Sequence, residues 1–194
     1  MKILKKSLSV ILSLVMIIMM IGCSAKSSNE LGTKNKYWHA SRLVDDNDNF
    51  TGKFVFQAQV DGVFSNIVET NAKCYFDIYY NQNGWFTIFT HPYSKDMKDT
   101  AFQFPNKVWK VTFDYGDYKY DYYTSFTTDK KEGIGFYTEY GQVDDYNAII
   151  DSMLTFEKVK ITIVDIQDAQ NEYKTNTIDL IELRNLVEGS KEIK

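Results

Sequence analysis

Carboxylates are too abundant in this 194-residue chain, with 26 aspartates and glutamates, to single out any as catalytic, whereas its two cysteines and two histidines can be examined one by one. Cys23 closes an apolar leader, whereas Cys74 lies in an alternating run with Ala72, Phe76 and Ile78. Alternation of this kind is typical of a half-buried strand, so we expect Cys74 to behave as a small buried hydrophobe. A reactive or pairing thiol at Cys74 is the alternative interpretation. Behind the leader Cys74 stands alone, so the domain has no intramolecular disulfide.

The remaining candidates for metal binding or catalysis are sparse. His39 and His91 lie far apart in the sequence with no neighbouring cysteine, so we predict no metal site and no cofactor. The run 45–49 (DDNDN) has the alternating oxygens of a calcium loop, but Phe50 and Phe56 replace its glycine and its bidentate glutamate, which favours a solvated turn. Gly-x-Ser-x-Gly, Gly-x-Gly-x-x-Gly and Walker sequences do not occur. We therefore predict no catalytic residue and no enzymatic activity.

Aromatic residues are the one unusual excess, with 14 tyrosines in the chain. Tyr118, Tyr120 and Tyr122 share one face of a predicted strand. Tyrosine combines an apolar ring with a polar tip, which suits the recognition of sugars or proteins. These three residues are therefore a candidate ligand or partner surface. Cross-strand aromatic pairing that only stabilises an exposed sheet face is the alternative.

The first 23 residues have the three parts of a secretory signal. Lys2, Lys5 and Lys6 precede an apolar run over 8–21, and Gly22 is the small residue before Cys23. The apolar core is about 15 residues long, whereas a membrane-spanning helix needs about 20. We predict a signal peptide over 1–22, forming a helix outside the fold.

The end of this leader resembles the lipobox of bacterial lipoproteins. Ile21-Gly22-Cys23 fits the pattern, and Met20 stands where leucine is usual. The resemblance implies cleavage after Gly22, a diacylglycerol on Cys23, and a protein anchored by lipid to the extracytoplasmic face of a cell membrane. The alternative is an ordinary secretory signal that is cleaved elsewhere.

The segment behind the leader is a tether followed by a single domain. Residues 24–36 (SAKSSNELGTKNK) contain too few apolar side chains to order themselves, so 23–36 are predicted to be a lipidated cysteine and flexible tether. Losing residues 1–22, with three lysines and no acid, changes the net charge from −4 to −7. An acidic surface argues against a nucleic-acid partner. We assign 37–194 to one domain.

Hydrophobic alternation predicts that this domain is mainly β. Turns at Asp61-Gly62 and Asn83-Gly84 predict two hairpins, and the three-and-four spacing of apolar residues predicts two short C-terminal helices, Asp145–Thr155 and one between Asp179 and Gly189. Short strands at hairpin spacing favour a sandwich or barrel over βαβ units. We predict an antiparallel β-sandwich of about eight to nine strands. Further strands are predicted at 36–44, 107–113, 118–127, 134–140, 158–165 and 172–178.

In architecture this order is similar to the secreted β-sandwich proteins of the invasion-associated locus B type. The similarity lies in an early Trp38, the run Phe113-Asp114-x-Gly116, and the helix–strand–strand–helix order from Tyr146 to Val187. It implies the sandwich fold and no particular activity.

Taken together, the leader and the domain predict a membrane-anchored extracytoplasmic lipoprotein. The membrane is its partner through the lipid on Cys23, and its domain is predicted to be a non-enzymatic module for protein interaction or envelope assembly. A lipoprotein that binds a small ligand or glycan is the first alternative, and a cell-envelope hydrolase is the second.

Overall fold

The computed structural model describes residues 38–93, 104, 107–128, 132–167 and 171–193. The predicted signal peptide (1–22) and tether (23–36), with Gly22 and Cys23, lie outside these residues and stay predictions. No helix in the described ranges is both long enough and apolar enough to cross a membrane.

The described residues form ten strands and two α-helices, which confirms the predicted mainly β class. Helix α1 spans Val143–Thr155 and α2 spans Ile181–Ser190, with a short 3-10 turn at Thr138–Tyr140. The strands are β1 (Trp38–Val44), β2 (Phe50–Ser65), β3 (Ala72–Asn81), β4 (Trp85–Pro92), β5 (Trp109–Asp114), β6 (Lys119–Thr124), β7 (Gly133–Tyr137), β8 (Lys158–Asp165), β9 (Glu172–Thr175) and β10 (Ile178–Asp179).

All strand pairs are antiparallel, as predicted, and they form one sheet. The order is β6-β5-β8-β9-β2-β3-β4-β7, with β1 added to β2 and β10 added to β8. The two ends of this path meet, because Thr127 and Ile134 form a bridge and the Gly135 amide donates to the Phe126 carbonyl oxygen at 3.1 Å. The sheet is therefore nearly a closed barrel. The described residues form ten strands against the predicted eight to nine, and one difference is that the predicted strand 172–178 is divided into β9 and the two-residue β10.

The predicted turn at Asp61-Gly62 is wrong, since β2 runs unbroken through it for 16 residues. Gly62 pairs with Cys74 on one side and with Thr175 on the other. A Cβ at Gly62 would lie 2.2 Å from the Lys174 carbonyl oxygen and 2.4 Å from Cε2 of Phe76. Gly62 therefore lets the Lys174 backbone and the Phe76 ring come close to β2, and such a close approach is one reason for a glycine within a strand. The Asn83-Gly84 hairpin is confirmed, with Gly84 at φ 99°.

The inner side of the sheet holds an aromatic core. Trp38 and Trp109 are fully buried, and the Trp38 indole Nε1 donates to the Asp179 carbonyl oxygen at 2.8 Å. That bond joins the first strand to the segment before α2. The other largest buried side chains are Tyr173, Phe54, Phe56, Phe64, Phe76, Phe86, Phe104, Phe113, Phe136 and Ile78.

Both predicted helices are confirmed, with small shifts of their ends. Helix α1 begins at Val143, so Asp144 and Asp145 occupy its first turn, where acids favour the positive end of the dipole, rather than capping it. Arg184 of α2 donates to the carbonyl oxygens of Leu154, Thr155 and Phe156 at 2.7–2.9 Å, which satisfies the end of α1. The predicted strand 134–140 is shorter, because residues 138–140 form the 3-10 turn.

We predict that Gly62→Ala destabilises the domain by about 3 kcal/mol, since the added methyl group overpacks a site between two strands. Gly116→Ala is the matched control: a methyl group at Gly116 would have nothing within 4 Å of it, and only the φ of 98° is unfavourable, at about 1 kcal/mol. Denaturant midpoints of the two variants measure the difference. Equal losses would contradict a close approach at Gly62.

Candidate functional site

The outward side of β3, β4 and β7 carries a continuous set of rings. In β3 the inner residues are buried, whereas Tyr75 and Tyr79 point outward and are half-buried. Tyr75 pairs with His91 across to β4, and Trp85 pairs with Tyr137 across to β7. We call the following outward residues the aromatic face: Tyr75, Tyr79, Trp85, Phe89, His91, Tyr93 and Tyr137.

The rings of the aromatic face contact each other across strands. Tyr75 stacks on His91 with ring centroids 4.8 Å apart and planes 21° apart. Phe89 is nearly parallel to His91, at 6.5 Å and 11°, and meets Tyr79 edge-on at 5.5 Å. Tyr93 tilts against Tyr75 at 5.4 Å. These contacts hold the rings in fixed positions and explain why most of them are only half-exposed.

Two glycines of β7 make room for the rings. A Cβ at Gly135 would lie 2.5–2.7 Å from three atoms of Tyr137, and a Cβ at Gly133 would lie 3.0 Å from Cδ1 of Phe89. The rings therefore lie over a strip of bare backbone. Any larger residue at Gly135 would push the Tyr137 ring away from the sheet. The two glycines thus shape the face as well as the strand.

Hydrogen-bonding side chains alternate with the rings. The Asp77 carboxylate accepts from Gln59 Nε2 at 3.2 Å and lies 3.1 Å from Nε2 of His91. The Tyr93 hydroxyl donates to Asp61. Each carboxylate keeps further lone pairs toward solvent, because a carboxylate can accept about four hydrogen bonds. The face therefore offers both donors and acceptors beside apolar rings.

The phenols of Tyr75, Tyr79 and Tyr93 stay protonated at neutral pH. Burial, together with the negative charge of Asp77, raises the pKa of Tyr79 to about 12. The same two causes raise the pKa of Tyr75. The hydrogen bond to Asp61 raises the pKa of Tyr93. A protonated phenol donates one hydrogen bond and accepts others, so the Tyr93 hydroxyl, which donates to Asp61, still has acceptor capacity.

The predicted surface of Tyr118, Tyr120 and Tyr122 lies elsewhere, at edge strand β6. Tyr122 pairs with the buried Val111, so its ring faces the core side and contacts Phe136 at 6.1 Å. Tyr118 and Tyr120 are exposed by 56% and 38%. They stand at the rim of the core, packing on Phe156 and Tyr115. The sequence did place the three on one side of the strand, but that side is the core side.

The remaining sequence candidates have structural roles. Cys74 is buried, as predicted, and burial with the nearby Asp61 charge raises the pKa of its thiol to about 12. The 45–49 run is the predicted turn, because Asp45 Oδ1 accepts from the amides of Asn47 and Asn49 at 2.9 Å. Those bonds lower the pKa of Asp45. His39 is exposed on β1.

Sequence reasoning missed the aromatic face although part of its signal was present. Alternation places Tyr75 and Tyr79 opposite the buried side of β3, and the Asn-Gly hairpin makes β4 its neighbour. The missing signal was the pairing of β4 with β7, since it joins residues about 50 apart in sequence. The Gly-x-Gly pattern at 133–135 is a readable sign that rings pass over a strand.

Comparison of the chain with protein-family models, with curated proteins and with solved structures gives no match. Within the described ranges, no three histidine, cysteine, aspartate or glutamate side chains come together as metal ligands.

We predict that a thiol reagent at pH 8 leaves Cys74 unmodified in the native protein and modifies it once the protein is unfolded. With a pKa of about 12, only about one thiol in ten thousand is ionised at that pH, and the side chain is enclosed. Absorbance titration of the purified full chain counts the thiols. Cys74→Ala is the control and should remove the thiol that appears on unfolding. Rapid native labelling of Cys74 would contradict its burial.

Proposed function

We propose that the chain is a lipid-anchored extracytoplasmic lipoprotein whose β domain is a non-enzymatic interaction module of the cell envelope. The observation that carries the interaction role is the aromatic face, an outward, pre-formed set of rings with hydrogen-bonding groups between them. The sequence at Ile21-Gly22-Cys23 carries the anchoring role.

The chemistry of Cys23 supports stable anchoring. Each buried CH₂ group of an acyl chain contributes about 0.8 kcal/mol, and a diacylglycerol inserts two chains. A single myristoyl chain holds a protein only reversibly, whereas two such signals hold it stably. The acidic charge expected for the processed chain gives no attraction to anionic lipid, so the thioether-linked lipid has to supply the affinity.

The aromatic composition of the face supports the interaction role. Tyr, Trp and Phe are enriched in protein interfaces, and here Tyr93 is 58% exposed while the other rings are partly exposed. The polar groups of the face bond to one another, as in the Asp77 contacts with Gln59 and His91, and so hold their positions without a ligand. Such pre-organisation reduces the entropy that binding would cost.

We expect Cys23→Ala to abolish incorporation of a labelled fatty acid into the full chain expressed in a bacterial host. Cys23 is the expected site of the thioether, so its removal leaves no acceptor. The measurement is in-gel detection of a clickable fatty acid, followed by mass determination of the N-terminal peptide. The wild-type peptide should begin at Cys23 and carry the lipid.

Cys74→Ala is the control for this labelling, since it removes the other cysteine and should keep the lipid. An unlabelled wild-type protein, or a label that persists in Cys23→Ala, would overturn the anchoring proposal. A wild-type N-terminus produced by cleavage at another bond would do the same.

A second predicted contact surface for a partner protein is the rim formed by Tyr118, Tyr120 and Tyr122. A photo-crosslinking residue in place of Tyr118, whose ring is 56% exposed, should form an adduct with one envelope protein in intact cells. The same residue in place of Val68, exposed by 83%, is the control and should form none. Equal adducts at both positions, or none at Tyr118, would remove this rim as a partner surface.

A further inference from the structure

We infer that the aromatic face binds an uncharged polysaccharide along the strands β3 and β4. This inference deepens the proposed function by naming a ligand class for the same face, and it rests on that function. Four features of the face support it: the ring contacts, the polar groups, the charge balance and the shape.

The rings fit the apolar side of a sugar. A pyranose ring has faces made of C–H groups, and these pack on the flat faces of tyrosine, tryptophan and phenylalanine. Trp85 and Tyr93 tilt against their neighbours instead of stacking on them face to face. Tyr93 is 58% exposed and Trp85 is partly exposed, so these two rings are the ones a sugar can reach. The ring contacts fix their positions beforehand. Binding would then order the ligand while the protein changes little.

The polar side chains between the rings fit the edge of a sugar. Each sugar hydroxyl donates one hydrogen bond and accepts others, so a matching surface needs both kinds of group. Asp61 and Asp77 supply acceptors, Gln59 supplies both, and the Tyr79 phenol stays protonated. Planar carboxylate and amide groups beside aromatic rings match the hydroxyl groups and the C–H faces of a sugar ring. A purely apolar protein partner would form no hydrogen bonds with these carboxylate and amide groups.

The charges of the face favour an uncharged ligand. The outward residues of β2, β3, β4 and β7 include two acids, Asp61 and Asp77, and two lysines, Lys53 and Lys73. Asp77 is already held by His91 at 3.1 Å. Binding an anionic polymer requires a cluster of cationic side chains, and a face with as many acids as lysines does not provide one. Neutral chains avoid repulsion from the carboxylates.

The shape of the face favours a polymer over a single sugar. Trp85 and His91 are six residues apart on β4, which is about 20 Å at the rise of an antiparallel strand. The rings between them form an open strip across three strands rather than an enclosed pocket. A strip of this length contacts several consecutive sugar units from the side. The ligand is therefore an internal segment of a glycan chain.

The chain contains its own reporter for a binding experiment. Of its three tryptophans, Trp38 and Trp109 are exposed by only 1% and 0%, so Trp85 is the one that solvent and ligands reach. The experiment titrates the full chain, in detergent micelles, with hydroxyethyl cellulose, xylan, mannan, glycogen and neutral chitin hexamer. Polygalacturonate is the anionic comparison. Tryptophan emission and retardation in polysaccharide-containing native gels are the readouts.

We expect at least one neutral glycan to shift the emission, and Tyr93→Ser to weaken that binding at least tenfold, which corresponds to about 1.4 kcal/mol. Tyr93→Phe keeps the ring and should bind within about threefold of the wild type. Tyr123→Ser is the matched control, because Tyr123 is 51% exposed on β6 and is not one of the residues of the aromatic face. Thermal melting verifies that each variant is folded.

The inference is overturned if no neutral glycan binds, if Tyr93→Ser binds as tightly as the wild type, or if polygalacturonate binds more tightly than every neutral chain. It is also overturned if a photo-crosslinking residue in place of Trp85 captures an envelope protein and the glycans do not compete. These results leave the anchoring proposal intact, because fatty-acid labelling of Cys23 is scored separately.

Discussion

The continuity of β2 through Gly62 is the constraint on which the rest of the sheet depends. β2 pairs with three other strands: β3 along one side, and β1 and β9 in succession along the other. The exchange of neighbours takes place where the Lys174 carbonyl oxygen and the Phe76 ring press against Gly62. A side chain there would separate β9 from β2 and open the sheet. The absence of a Cβ is thus what lets one strand connect the two parts of the sheet.

The aromatic face follows from the same arrangement. Because β2 stays in register with β3 for ten residue pairs, the alternation of β3 is fixed over its whole length, with Cys74 and Phe76 inward and Tyr75 and Asp77 outward. The Asn83-Gly84 turn transmits that register to β4, and β4 transmits it to β7. A slip of one residue anywhere in this series would exchange the inner and outer sets. The position of each ring therefore depends on pairings several strands away.

The sequence was sufficient to predict local structure, but it did not show which strands are neighbours in the sheet. Alternation and the three-and-four spacing located most strands and both helices, because these signals depend on residues within one element. The Asp61-Gly62 pair was misread because glycine has two uses, positive φ in a turn and close approach in a strand, and only the tertiary structure distinguishes them. The aromatic face around Tyr75 and Tyr79 was not predicted from the sequence for a related reason. Alternation shows which residues share a face of a strand. It does not show which of the two faces packs on the core at an edge strand such as β6.

If the proposed lipid anchor and binding face are both present, their energetics are consistent with each other. A face of half-exposed rings offers modest affinity for any one ligand segment, because it does not enclose the ligand as a pocket would. Lipid attachment at Cys23 would place many copies on one surface, and a polymer presents the same segment repeatedly. When several copies engage one chain, the later contacts are intramolecular, and avidity exceeds the single-site affinity by about 10² to 10⁴. A rigid, weakly binding strip on an anchored domain would therefore hold a polymer firmly while each contact exchanges rapidly.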